Sequence, residues 1–312
     1  MAAISAMPIK QLFLILVFSL AGLRSAAAIE LKEVADGVFV HQGVHELPDG
    51  RNRGEIANIG FIVGSRCVAV VDTGGSPQQG RELKAAIERT TRVPICYVVN
   101  THVHPDHIYG NRAFRQPGVS FFGHHKLAQA MAVRAPFYLE KAQRELNNGL
   151  SKDDFIPPDQ VVQDRLDLDL GGRRLTLTAH GPAHTDTDLS IFDDKTQTLW
   201  LADLLFEDHL PVVDGSLAGW LKELEKLRSV QAKRAIPGHG PAAADWPAAA
   251  EAELSYLTRL REEVRGFVQR GRTLEQALDQ AGRSLRGNWR LFDEFHKRNV
   301  SSGFAELEWE DP

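Results

Sequence analysis

The chain of 312 residues carries 36 basic and 41 acidic side chains, a formal net charge of −5 at pH 7, with 43% hydrophobic and 25% charged residues. This composition is ordinary for a globular protein and supplies enough apolar side chains for a sizeable core. The charges are spread without long single-sign runs, which excludes the basic stripe of a nucleic-acid-binding surface and favours a small-molecule partner.

The first 28 residues have the pattern of a secretory signal peptide. Lys10 precedes an apolar run from Leu12 to Leu23, and small residues follow at 25–28. An uncleaved membrane anchor is the alternative, but the run is shorter than the roughly 17 to 25 residues that a spanning helix needs. We therefore expect cleavage close to residue 28, a periplasmic or secreted protein, and no stable membrane insertion after cleavage.

The next part of the chain alternates strand and helix patterns. Apolar runs predict strands at 59–64 and 67–75, joined by a hairpin. The pair Ser76–Pro77 then predicts the start of a helix, because serine caps helices and proline favours their first position. The run Ile95–Val99 predicts a further strand. A strand, a helix and a second strand form one βαβ unit of an α/β fold.

A helical insertion is predicted at 124–148, after which strand patterns resume at 174–180, 188–193, 198–203 and 235–238. Asp193 ends the strand at 188–193, next to a turn, and we expect its replacement by asparagine to have no effect.

Leucines at every third or fourth position predict an amphipathic helix at 217–227, capped by Asp214 or Ser216. The residues after Pro247 are mostly helical. We therefore divide the chain after its signal peptide into one α/β domain, 29–245, and a helical C-terminal extension packed on it, 246–312.

Cys67 and Cys96 lie near the starts of two strands that are predicted to be parallel. An oxidising compartment would allow the two to pair, but a bridge between adjacent parallel strands is geometrically demanding. Two buried free thiols are the alternative outcome. Neither cysteine has the spacing of a zinc-binding pair, so thiolate ligation is not expected.

The stretch NTHVHPDHIYGN, 100–111, contains three of the twelve histidines within six positions. On an extended segment His102 and His104 face the same way, so both can bind one ion. Pro105 then turns the chain and lets Asp106 and His107 aim at a neighbouring point. The cluster therefore predicts two adjacent metal positions.

Three further residues are candidate ligands because each lies in a loop or at a strand end. They are His184, Asp203 and His239. Asp203 ends an apolar run, where an acid without a partner is costly. Each of the three alone fits a solvated turn residue equally well, but together with the cluster they complete two metal sites.

The motif THVHPDH, followed in order by His184, Asp203 and His239, resembles the metallo-β-lactamase superfamily over about residues 35–245. The stretch VVDTGG around Asp72 is similar to the second-strand element of that family. GEIANIGFIVG, DLLFEDHLPVVDGSLAGWL and RNVSSGFAELEWE resemble a periplasmic subgroup, the quinoprotein relay system zinc metallohydrolases, which are related to SoxH-type proteins of sulfur-oxidation clusters. The resemblance implies a four-layer αββα sandwich with the metals at one edge between the sheets.

The resemblance also implies a ligand set: one zinc ion on His102, His104 and His184, a second on Asp106, His107 and His239, with Asp203 bridging both. Asp106 and Asp203 are the implied catalytic carboxylates, positioning the attacking hydroxide and accepting its proton. Asp72 is expected to orient the ligand loop rather than bind metal. Thr187 departs from the family pattern, because relatives tend to have glycine there.

The function that the resemblance implies is a periplasmic dinuclear zinc hydrolase of esters, thioesters or lactones, associated with a quinoprotein dehydrogenase system that uses pyrroloquinoline quinone. The bridging Asp203 argues against antibiotic hydrolysis, because similar histidine-rich β-lactamases usually lack a carboxylate there and glyoxalase II-like hydrolases have one. A mononuclear iron enzyme that oxidises persulfides and a non-catalytic metal-bearing carrier or partner of the quinoprotein system remain alternatives. Seven ligand candidates favour the dinuclear hydrolase.

Overall fold

A computed structural model describes residues 29–146, 149–287 and 289–310; the signal peptide predicted for 1–28 lies outside the described residues. Two β-sheets form its centre. The first contains β1 to β7, at Lys32–Ala35, Val38–His41, Ile59–Val63, Val68–Val71, Ile95–Val99, Ser120–His124 and Gln160–Val162. The second contains β8 to β13, at Arg165–Asp169, Arg174–Ala179, Leu189–Asp193, Thr198–Phe206, Arg234–His239 and Ala244–Asp245.

Both sheets are mixed. The strands of the first lie side by side in sequence order, antiparallel from β1 to β4 and parallel from β4 to β7. The second has the order β13, β12, β11, β10, β9, β8 and is antiparallel except for the parallel pair β11 and β12.

Seven α-helices are described, α1 to α7, at Pro77–Thr90, Pro105–Ile108, Leu127–Glu145, Leu217–Arg228, Ala250–Gln269, Leu274–Gln280 and Phe292–Leu307. The Ser76 side chain caps α1 as predicted, by accepting a hydrogen bond from the Gln79 amide. At α4 the cap is Ser216, one of the two residues that the sequence proposed. Among the described residues, no helix is long and apolar enough to cross a membrane.

The predicted four-layer sandwich is confirmed by three apolar clusters, one between each pair of layers. Phe61 and Leu83 belong to the cluster that joins α1 to the first sheet. Val71 and Trp200 belong to the cluster between the two sheets. A third cluster covers the outer face of the second sheet with side chains of α4, α5 and α7. The C-terminal helices therefore pack on the second sheet.

Cys67 and Cys96 form a disulfide. Cys67 directly precedes β4, Cys96 lies in β5, and Val68 stands opposite Ile95 in the parallel pairing of these strands. Of the two outcomes that the sequence left open, the structure contains the bridge.

Asp193 is buried, so it is not the turn acid of little consequence that the sequence predicted. Its carboxylate accepts hydrogen bonds of 2.9 and 2.6 Å from the guanidinium of Arg173, which is also buried. Burial alone would raise the pKa of Asp193, but the hydrogen bonds and charge of Arg173 lower it overall. Arg173 also donates to the carbonyls of Asp36 and Val63, and thereby ties the second sheet to the first.

We expect Arg173→Met to lower the free energy of unfolding by about 3 to 5 kcal/mol, because it leaves the Asp193 carboxylate buried without a counterion. Urea denaturation measures the loss. The matched control is Arg174→Met, which breaks the ion pair between Arg174 and Asp194. These side chains are 58% and 33% exposed, so the control should lower the free energy of unfolding by less than about 1 kcal/mol. Equal losses in the two variants would contradict the role assigned to Arg173.

Candidate metal centre

The seven predicted ligands come from five segments that end at one edge of the sandwich. His102 and His104 follow β5, Asp106 and His107 lie in α2, His184 lies between β9 and β10, Asp203 lies in β11 and His239 ends β12. The structure brings them together as two groups, within each of which the candidate ligand atoms lie within 4.8 Å of one another. The first group is His102, His104, His184 and Asp203, and the second is Asp106, His107 and His239.

The division of the local cluster between two groups follows from Pro105. The backbone of His104 is extended, and the chain becomes helical at Pro105, the first residue of α2. Proline favours that position because its fixed φ angle suits a helix start. The change of direction carries Asp106 and His107 away from the point that His102 and His104 face, as the sequence indicated.

Asp203 lies inside a strand rather than at its end, contrary to the sequence prediction, because β11 continues to Phe206. The pairing of β11 with β12 is irregular around Ala202, whose φ angle is +46°. Such bulges re-aim side chains at functional sites. On β12, a Cβ atom at Gly238 would lie 1.8 Å from Asp203 Oδ1, so only glycine leaves room for this carboxylate.

The Asp203 carboxylate faces both groups. Its Oδ2 atom lies 3.3 Å from His184 Nε2, 3.7 Å from His102 Nε2 and 3.3 Å from His239 Nε2. Its Oδ1 atom lies 3.1 Å from His107 Nε2. The remaining two candidates complete the groups: His104 Nδ1 lies 2.9 Å from His184 Nε2, and Asp106 Oδ2 lies 3.4 Å from His239 Nε2.

Each of the five histidines has a hydrogen-bond partner on the ring nitrogen that points away from the cluster. The partners are Thr101 Oγ1 for His102, Asp214 Oδ2 for His104, Asp72 Oδ2 for His107, the Val212 carbonyl for His184 and the Ile56 carbonyl for His239, at 2.7 to 3.1 Å. Acceptors at these positions fix the ring orientation and leave the inward nitrogen free to bind a metal.

Asp72 lies behind His107 rather than in either group. It is fully buried and also accepts hydrogen bonds from the amide and the hydroxyl of Thr101, at 2.8 and 2.7 Å. Burial raises the pKa of Asp72, and the charge of His107 opposes that shift. The contacts place Asp72 where the sequence expected it, as a residue that orients the ligand loop.

Asp214 was expected only as a possible helix cap, and its contact with His104 was missed. It also forms an ion pair with Arg298, 84 positions further along the chain. The residues around Asp214 do not reveal either contact, because His104 and Arg298 are both distant from it along the chain.

Buried polar atoms in the cluster lack the partners that such atoms normally have. In the part of the chain that the structure describes, His102 Nε2, His107 Nε2 and Asp203 Oδ1 are buried and form no hydrogen bond. Imidazole nitrogens and carboxylate oxygens are the ligands that zinc and iron prefer. The cluster is therefore able to bind metal.

Without metal, opposite charges stabilise one another in the second group. Burial alone would lower the pKa of His239, but Asp203 and Asp106 raise it to about 9, and the same carboxylates raise the pKa of His107 well above its usual value. Burial would likewise raise the pKa of Asp203, yet His239 and His107 hold it well below its usual range. Protons thus occupy the positions that a metal would take.

Residues 52–239, more than half of the chain, match the family model of the metallo-β-lactamase superfamily, and the chain belongs to this superfamily. A linear primary-alkylsulfatase from a Pseudomonas species is 26% identical over 207 residues, which cover 55% of this chain and 39% of the relative. The α subunit of a 2,4-dinitroanisole O-demethylase from a Nocardioides species is 24% identical over 182 residues, covering 57% and 51%. The chain thus spans about half or less of the length of these relatives.

Two similar solved structures are metallo-β-lactamases from Pontibacter korlensis and Hirschia baltica. The first has a TM-score of 0.60 at 21% identity and covers 73% of this chain and 98% of that protein. The second has a TM-score of 0.57 at 20% identity, with coverage of 73% and 97%. Similarity at this level of identity shows the fold alone.

We expect zinc binding to the metal-free protein at pH 7 to release protons. The pKa of His239 is raised to about 9 and the pKa of His107 well above its usual value, so each ring holds a proton that must leave before Nε2 can bind an ion. The apparent zinc affinity should therefore rise with pH up to about pH 9. Titration calorimetry in buffers with different ionisation enthalpies measures the protons released, and a zinc affinity that is unchanged between pH 6 and 8 would contradict the assignment.

Proposed function

We propose that the protein is an exported dinuclear zinc hydrolase of an ester, thioester or lactone-like substrate. The observation that carries this proposal is the position of Asp203, whose carboxylate lies within 3.7 Å of histidines from both groups. We assign one zinc ion to His102, His104 and His184, the second to Asp106, His107 and His239, and the bridging position to Asp203. A protein that binds a single ion has no need of a second complete set of ligands.

The side chains around the proposed ions suit a hydrolytic reaction. When bound, two zinc ions would activate water at neutral pH and polarise the scissile carbonyl. Asp106 and Asp203 both line the adjoining cavity, so they are placed to orient the attacking water and to accept its proton. The outer hydrogen bonds hold the five histidines in position, which lowers the reorganisation that the reaction requires.

We extend the proposal to cellular location. The N-terminal pattern supports secretion into the periplasm, and the Cys67–Cys96 disulfide supports an oxidising compartment. On this proposal, residues 29–245 form the catalytic domain and 246–312 its helical extension.

We further propose the subgroup and the partner. Resemblance of GEIANIGFIVG and DLLFEDHLPVVDGSLAGWL to quinoprotein relay system zinc metallohydrolases supports membership of that subgroup and an association with a quinoprotein dehydrogenase system. The carboxylate at position 203 supports a role other than antibiotic hydrolysis.

Two alternatives make different predictions for metal content and turnover. A persulfide-oxidising enzyme would contain one iron, and a non-catalytic carrier would bind metal without turning over any substrate. Elemental analysis combined with a screen of thioesters, lactones, phosphodiesters, alkyl sulfates and a cephalosporin separates the three functions. We expect two zinc ions and hydrolysis of a carboxylic ester, thioester or lactone.

We expect Asp203→Asn to lower hydrolysis by about two or more orders of magnitude and to reduce zinc content while the fold is retained, because the substitution removes the negative charge between the two ions. The measurements are turnover, elemental analysis and circular dichroism. The control is Asp153→Asn, an exposed acid that should have no effect. Full zinc content with unchanged turnover in the Asp203 variant would defeat the bridging assignment.

We expect the protein recovered from the periplasm to begin near Ile29, because the apolar run at 12–23 is short and small residues follow it. Mass spectrometry of the intact protein gives the first residue. An uncleaved chain that begins at Met1 in the membrane fraction would contradict export by this route.

A further inference from the structure

A cavity of about 530 Å³ opens onto the metal centre, within the range typical of small-molecule sites. His104, Asp106, His184, Asp203 and His239 form its polar base. Its walls are mostly apolar and include residues of the loop before β3, helix α3, the end of β11 and helix α7. Leu47, Ile56, Phe137, Leu146, Phe206 and Phe295 are among the wall residues.

Exposed hydrophobic side chains concentrate around this cavity. Of the six large hydrophobic residues exposed in the described chain, four lie in the two segments at its border: Val44, Leu47, Val133 and Phe137. Leu47 and Phe137 line the cavity directly and remain 47% and 59% exposed. Val133 lies one turn before Phe137 on the same face of α3. Apolar surface therefore continues from the metal centre to the outside of the protein.

The charged residues of the wall disfavour an anionic substrate tail. Lys141 and Arg298 are the lining cations in the described chain, and each pairs with an acid that also lines the cavity, Glu145 at 3.8 Å and Asp214 respectively. Glu46 adds a third carboxylate. No cation of the described wall is thus free to bind a carboxylate far from the metal centre.

We propose that the substrate is an uncharged ester, thioester or lactone with an extended apolar chain, which lies against Phe137 and Leu47 while its scissile bond faces the metal centre. The proposal rests on the hydrolase function proposed above. It excludes thioesters of peptides that carry free carboxylates, because such carboxylates would meet the three acids of the wall.

The test compares p-nitrophenyl esters with acyl chains of two to ten carbons, and their ω-carboxylate counterparts, on the zinc-loaded protein. We expect kcat/KM to rise about two- to fourfold per added methylene until the chain fills the cavity, and the ω-carboxylate esters to lose this gain. Phe137→Ala and Leu47→Ala should flatten the dependence of kcat/KM on chain length, because each removes apolar surface that the chain would contact. The control is Trp309→Ala, which removes an 86% exposed side chain that does not line the cavity.

A binding measurement separates this proposal from the hydrolase function. Linear alkanols should displace a fluorescent apolar dye from the metal-free protein more strongly as their chains lengthen, and Phe137→Ala should weaken the displacement. If displacement depends on chain length but no ester is hydrolysed, the hydrolase function falls and the chain-binding site stands. Displacement that is independent of chain length, or faster hydrolysis of ω-carboxylate esters, would overturn the proposal.

Helix α7 also contacts a loop that lies against the metal centre. The 207–216 loop, which joins β11 to α4, touches three of the candidate ligands: the Val212 carbonyl and the Asp214 carboxylate accept from His184 and His104, and the ring centroids of His209 and His239 lie 4.9 Å apart.

Four side chains of helix α7 in turn contact this loop. Buried Asn299 accepts from the Val213 amide at 2.9 Å and donates to the Pro211 carbonyl at 2.6 Å. Arg298 pairs with Asp214, the Phe295 ring lies 5.4 Å from that of His209, and Glu306 accepts from Ser216 Oγ at 2.7 Å.

We infer that Arg298 and Asn299 are positioning residues of the metal centre, acting through the 207–216 loop. Helix α7 lies beyond residue 239, where the match to the family model ends. A part of the chain outside the family segment thus holds the outer partners of two candidate ligands, and metal affinity should depend on it.

Zinc affinity, measured by competition with a chelator of known affinity, tests this inference without any substrate. We expect Asp214→Asn to weaken zinc binding about 10- to 100-fold and Arg298→Ala to weaken it by a smaller factor. Lys297→Ala, which removes the neighbouring exposed cation, should have no effect. In the Asp214→Asn background, Arg298→Ala should cause no further loss, because its effect passes through Asp214. Asn299→Ala should weaken zinc binding as well, with circular dichroism to monitor the fold.

The inference would be overturned if Arg298→Ala left zinc affinity unchanged. It would also be overturned if Arg298→Ala lowered zinc affinity equally in the wild-type protein and in the Asp214→Asn variant. Both results are decisive even if Asn299→Ala fails to fold. A wild-type protein that retains no zinc would instead defeat the proposed function.

Discussion

The buried carboxylate of Asp203 constrains how the strands and loops meet at the metal centre. It is 3% exposed and has four histidine nitrogens within 3.7 Å. A carboxylate at that depth costs several kcal/mol unless positive charge compensates it. The four histidines come from separate segments, so both sheets must bring their strand ends to one point. The bulge at Ala202 and the glycine at position 238 provide the space in which the carboxylate fits.

The hydrogen bonds behind the histidines extend this constraint outward. Three of the five partners lie on the first-sheet side of the cluster, at Ile56, Asp72 and Thr101, and two lie in the 207–216 loop. Because two of them are main-chain carbonyls, the path of a loop fixes the orientation of an imidazole ring directly. Loops are ordinarily the most mobile parts of a fold, and here the hydrogen bonds from α7 hold the 207–216 loop against the domain.

The sequence predicted those features that depend on neighbouring residues. The serine caps of α1 and α4, the turn at Pro105 and the alternation of strands and helices all have local signals, and the structure contains them. The prediction was wrong for Asp193, a turn acid expected to tolerate replacement, because its partner Arg173 lies 20 positions away along the chain. It was also wrong for the strand end at Asp203, because β11 continues to Phe206 through an irregular pairing with β12. Arg298 and Asp214 are an extreme case, since 84 positions separate them.

Family membership says more about the metal centre than about the substrate. All seven candidate ligands lie within 52–239, the segment that the superfamily model matches. The cavity wall is different, because Leu47 precedes that segment and both Phe295 and Arg298 follow it. The groups that can bind metal therefore lie within the matched segment, whereas part of the cavity wall lies outside it. The solved structures that are 20% and 21% identical to this chain share its sandwich fold, and a shared fold does not imply a shared cavity wall. The cavity wall therefore determines which substrate fits, and its apolar side chains and paired charges favour an uncharged apolar chain.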